Sequence, residues 1–76
     1  MTLKERAQQV SEIIERITGG WYWAHAGKRA IQFFKGYEVN QLTGRRSGYQ
    51  ISRSQMRQVM CNHGTDLDTI LECYGA

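Results

Sequence analysis

Residues 21–35 run Trp21-Tyr22-Trp23-Ala24-His25-Ala26-Gly27-Lys28-Arg29-Ala30-Ile31-Gln32-Phe33-Phe34-Lys35, and how they fold decides the architecture of the chain. Aromatic residues cluster on both sides of a glycine, which is the composition of a strand pair. Strands over 21–26 and 29–34 leave Gly27-Lys28 as a two-residue turn with glycine in the first central position. That turn sets Trp21 opposite Phe34, Trp23 opposite Gln32 and His25 opposite Ala30 on one face. Tyr22 with Phe33 and Ala24 with Ile31 then occupy the other, because side chains alternate along a strand. The competing reading is a helix from Lys28 to Leu42 with Ile31, Phe34 and Leu42 on one stripe. Gly36 and the clustered aromatics oppose it.

On the N-terminal side of this hairpin the period changes to that of a helix. Leu3, Ala7, Val10, Ile14 and Ile17 recur at spacings of three and four, Ile13 widens the stripe, and the opposite side is polar. Thr2 with Glu5 three residues on forms a capping box, and Gly19-Gly20 stops the helix. The stripe is long enough to pack on its own domain and marginal for a coiled-coil seam.

Beyond the hairpin, Gly36 reads as a bend and Tyr37–Leu42 as a continuation of the strand. Thr43-Gly44-Arg45-Arg46-Ser47-Gly48 is a polar loop, and Tyr49–Ile51 a short third strand. Ser52 with Gln55 makes a second capping box. Met56, Val59, Met60 and His63 follow at helical spacing, and Gly64 ends the element. Thr65 or Asp66 opens a last helix with Leu67, Ile70, Leu71 and Tyr74 as its apolar positions. The order is α-β-β-β-α-α, an α+β fold in which helices pack on a three-stranded antiparallel meander. At 76 residues the chain holds one small core as a single domain. A second domain and an enzyme with a large cleft are both excluded.

Charge is spread unevenly. Residues 1–17 balance to zero, residues 18–58 carry +6 and residues 59–76 carry −3, within a total of +3. Seven of the eight aromatic residues share the basic middle segment. Interleaved basic and aromatic residues are what nucleic-acid-binding sheets use. The plainer alternative is a solvated basic face above an aromatic core. Arg45 and Arg46 at a glycine-flanked loop are the residues least needed for packing, and arginine forks bind phosphates or carboxylates. Lys28 and Arg29 lie in the other turn, which a meander places at the opposite end of the sheet. Arg53 and Arg57 lie one turn apart on the second helix and extend the basic surface. Trp21 and Trp23 are candidates for stacking if their sheet face is uncovered.

Other chemistries find little support. Residues 52–74 suggest a helix-turn-helix, yet the second helix would enter the groove with Asp66, Asp68 and Glu72 and no base. Cys61, His63, Cys73 and His25 lack metal-ligand spacing, so the expectation is no metal and no cofactor, with both cysteines as small core residues. His25, between alanines, reads as a partly buried structural residue that would also suit stacking. No third group orients a Cys–His nucleophile, and 43–48 lacks the spacing of a phosphate loop.

The expectation is a small non-enzymatic binding protein. Its partner is nucleic acid, or an acidic protein surface met as an inhibitor or adaptor of the size that mobile elements carry. In the second case it docks through the same arginines or the acidic last helix. Two cysteines and a polar, mixed-charge N-terminus make a cytoplasmic location the default, with no membrane partner. The first helix or a free edge strand leaves a homodimer open.

Overall fold

A computed structural model describes residues 2–36 and 48–74. Its elements are α1 (Leu3–Thr18), β1 (Tyr22–Ala26), β2 (Ile31–Lys35), β3 (Tyr49–Ile51), α2 (Arg53–Asn62) and α3 (Leu67–Tyr74). The strands form one antiparallel sheet in the order β1-β2-β3, so the α+β meander is the fold. A helix from Lys28 to Leu42 is overturned, since Ile31–Lys35 is the central strand. The strand continuation over 37–42 and the loop bearing Arg45 and Arg46 lie outside the described residues.

The caps follow from local chemistry. The Thr2 hydroxyl accepts the Glu5 N–H at 3.2 Å, and the Glu5 carboxylate accepts the Thr2 hydroxyl at 3.0 Å. The carboxylate also accepts the Thr2 N–H at 3.4 Å, and the two hydrogen bonds donated to it, from the Thr2 hydroxyl first and the Thr2 N–H second, hold the Glu5 carboxyl below its ordinary pKa. At the far end Gly19 is left-handed with φ 69°, and the Gly20 N–H reaches the Glu15 carbonyl at 2.8 Å. Ser52 and Gln55 repeat the capping box on α2. Asp66 caps α3, taking the Asp68 N–H and the Thr69 hydroxyl.

The hairpin register departs from expectation by two residues. Trp23 pairs with Phe34, Ala24 with Phe33 and His25 with Gln32, which centres the turn on Lys28-Arg29. A shift of two leaves every side chain on its expected face, whereas a shift of one would have inverted them all. Every described non-glycine residue has negative φ, so the turn does not use the left-handed geometry expected of it. Gly27 instead sits at the strand end. Its N–H donates to the Ala30 carbonyl, and a Cβ there would lie 2.8 Å from that oxygen.

All three helices gather on one side of the sheet. Ala24, Phe33 and Ile51 form the inner face and share one core with Val10, Ile14, Met56, Met60, Leu67, Ile70 and Leu71. Two buried polar residues of α1 serve the edge of β1, whose outward N–H groups have no neighbouring strand among the described residues. Ser11 accepts the Ala24 N–H at 3.0 Å, and Thr18 accepts the Tyr22 N–H at 3.3 Å. Seven residues apart, the two hydroxyls lie two helical turns apart on one face.

Four expected burials are corrected. Cys61 and Cys73 are exposed rather than core residues. Cys61 follows Met60 and Cys73 lies two past Leu71, so each is rotated off its buried stripe. His25 is exposed, on the face of the sheet opposite Ala24 and Phe33. Tyr74, expected on the α3 stripe, is 41% exposed at the end of the helix. No helix among the described residues is long and apolar enough to cross a membrane.

Candidate nucleic-acid interface

The outer face of the sheet is built by alternation alone. Positions out of phase with Ala24, Phe33 and Ile51 carry Trp23 and His25 from β1, Gln32 and Phe34 from β2, and Gln50 from β3. Register sets Trp23, Phe34 and Gln50 in one row across the three strands, with His25 and Gln32 in the next. The Trp23 and Phe34 rings stack at 4.4 Å between centroids and 14° between planes. Both rings are half-buried and outside the core cluster, while His25 and Gln50 are exposed. Trp21 shares the phase of Trp23, accepts the Gly36 N–H on its carbonyl, and is 56% exposed.

Charge divides between the layers. The six carboxylates of the described residues are Glu5, Glu12 and Glu15 on α1, and Asp66, Asp68 and Glu72 at the start of α3 or within it. The strands and the hairpin turn hold Lys28, Arg29 and Lys35 with no acid. Lys35 turns to the inner side, where its ammonium lies 5.8 Å from the Tyr22 ring centroid. The outer face therefore presents aromatic rings, amides and an imidazole, with Lys28 in the turn at one end. Gln32 and Gln50 were missed as candidates from sequence, though strand alternation places them beside the tryptophan.

The expected site residues are not brought together. Lys28 and Arg29 are exposed at the hairpin turn, and Trp21 lies at the opposite end of the sheet with Gly36 and Gly48. Arg45 and Arg46 fall in the segment between those two glycines, outside the described residues. Arg53 and Arg57 lie on the helical side, where both guanidinium groups reach Asp68 Oδ1, at 3.7 and 3.1 Å. The acidic tail thus folds back on part of the basic segment. At such exposure these ion pairs contribute little stability, but they lower the local positive potential. The signal for this contact was the Arg53/Arg57 pair at helical spacing followed by an acidic helix start. Among the described residues no three His, Cys, Asp or Glu side chains are grouped to hold a metal.

Comparison of the chain with protein-family models, with curated proteins and with solved structures finds no match.

Proposed function

We propose that the chain is a non-enzymatic nucleic-acid-binding module that takes a single strand across the outer face of its sheet. The observation that carries this reading is the segregation of charge. Among the described residues the strands and the hairpin turn present stacked aromatics, amides and basic residues with no carboxylate, while the acids belong to α1 and to the start or body of α3. The described strands carry no carboxylate of their own, Glu12 and Glu15 of α1 share a groove with Trp23 and His25 at the β1 edge, and bases have Trp21 and the Trp23–Phe34 pair for stacking. Lys28 and, from the sequence, Arg45 and Arg46 supply phosphate contacts. Gln32, Gln50 and His25 offer hydrogen bonds to base edges.

The test is fluorescence anisotropy with labelled single-stranded and duplex oligonucleotides at low and moderate salt. The chain is run beside Trp21→Ala and Arg45→Ala/Arg46→Ala. The expected result is salt-sensitive binding that prefers single strands and weakens in both variants. Absence of binding at low salt overturns the reading, as does binding that both variants retain in full.

A further inference from the structure

On the side of the sheet away from the proposed nucleic-acid face, four elements enclose a groove of about 530 Å³. Leu3 of α1, Ile31 of β2 and Leu71 of α3 line it with aliphatic surface. Arg6 of α1, Arg29 of the hairpin turn and Arg53 of α2 also line it. These arginines lie more than twenty residues apart in sequence, so only the packing of the helices on the hairpin brings them to one opening. Asp68 and Glu72 line the same groove. Asp68 is engaged by Arg53 and Arg57, whereas Arg29 has no ion pair among the described residues.

We infer that this groove docks an acidic, amphipathic peptide segment of a partner protein. An aliphatic or aromatic side chain of the segment rests on the half-buried Leu3 and Ile31, above the buried Leu71, and a neighbouring carboxylate pairs with Arg29 and Arg53. The volume lies within the range of small-ligand and side-chain pockets, roughly 300–1,000 Å³. Charge decides between partner classes. Arginine forks take carboxylates and phosphates alike, so the discrimination comes from the two acids of the groove. A nucleic-acid strand fits less well, because its phosphates would meet Glu72 and Asp68 and its bases would find no exposed ring. Phe33, the one aromatic among the described residues of the groove, is 3% exposed. A peptide can set its acid against the arginines and a neutral or basic residue against Glu72. The groove and the outer sheet face lie on opposite sides of the hairpin, so this inference stands independently of the nucleic-acid reading and would make the chain a two-sided adaptor.

The test is selection from a displayed library of random peptides about twelve residues long, panned on the full chain and on Arg29→Glu/Arg53→Glu. Both arginines are exposed, and the far-UV circular dichroism of the variant checks that it keeps the fold. Enriched sequences are expected to place Leu, Ile, Met or Phe beside Asp or Glu. A labelled synthetic copy of the most enriched peptide should lose about tenfold or more in affinity on the double variant and none on Lys28→Ala. The methyl resonances of Ile31 and Leu71 should shift on titration with it. The inference is overturned by failure to enrich any acidic sequence, by equal binding to the double variant, or by shifts confined to the outer sheet face. Displacement of the peptide by oligo-dT from a still-shifted Leu71 would reassign the groove to nucleic acid.

Discussion

Phe33 and Phe34 are adjacent in sequence and sit in opposite environments. Phe33 is 3% exposed beneath the helices, while Phe34 is half-buried and stacks on Trp23 across the strand. The inner face carries small and aliphatic neighbours, Ala24 and Ile51, because α1, α2 and α3 must approach it closely. The outer face carries Trp23, Phe34, His25 and two glutamines, outside the core that the helices share with the inner face. The lesson is that aromatic content does not locate the core. Where the helices gather does, and a chain of 76 residues gathers them on one side only.

The sharpest way to break this comparison is to truncate both rings separately. Phe33→Ala should cost about 3–5 kcal/mol, comparable with the whole stability of a domain this small. Phe34→Ala should cost only about 1 kcal/mol, chiefly the lost stack. Urea denaturation of the two variants measures the difference, and equal costs would make the outer face a second core. Next in size is Ser11→Ala, which removes the acceptor of the Ala24 N–H at the β1 edge and should cost about 1–3 kcal/mol. Amide hydrogen exchange at Ala24 should quicken well before global unfolding in that variant.

A further pair of predictions concerns binding on the outer face. Trp21→Ala should weaken single-strand affinity by about 1–3 kcal/mol for one lost stacked base, while leaving the melting temperature nearly unchanged. A fall in melting temperature equal to that of a core variant would return Trp21 to a structural role. Lys28→Ala should reduce the salt slope of binding by roughly one while weakening all sequences alike. The smallest effect concerns α1 rather than either face. Hydrogen bonds from Thr2 depress the Glu5 carboxyl, so the folded pKa lies below the unfolded one. The cap's contribution is therefore present above the ordinary carboxylate pKa and is lost as pH falls through the depressed value. Thr2→Ala should flatten the acid limb of a stability–pH curve, measured by thermal melts between neutral pH and pH 3.

Much of the architecture was legible in the residues. The two capping boxes, the glycine stops and the apolar stripe of α1 concern groups within four residues of each other, and local chemistry settles them. The faces of the hairpin were legible as well, since alternation survives a two-residue change of register. The turn itself was misread, because Gly27 is needed for close approach to Ala30 rather than for a left-handed turn. The candidate site was legible only in pieces. Trp23, His25 and Phe34 were placed on one face from sequence. The engagement of Arg53 and Arg57 by Asp68, and the convergence of Arg6, Arg29 and Arg53 on one groove, involve residues far apart in the chain.

By itself the sequence determined the order of elements, their caps and the two faces of the hairpin. These depend on backbone satisfaction and side-chain period within a few residues. Only the tertiary structure decided which face the helices cover, that Cys61 and Cys73 stand outside the core, and which arginines face an acid. Those outcomes depend on the helices burying one continuous apolar surface, and that choice is made by contacts across the whole chain rather than by any segment of it.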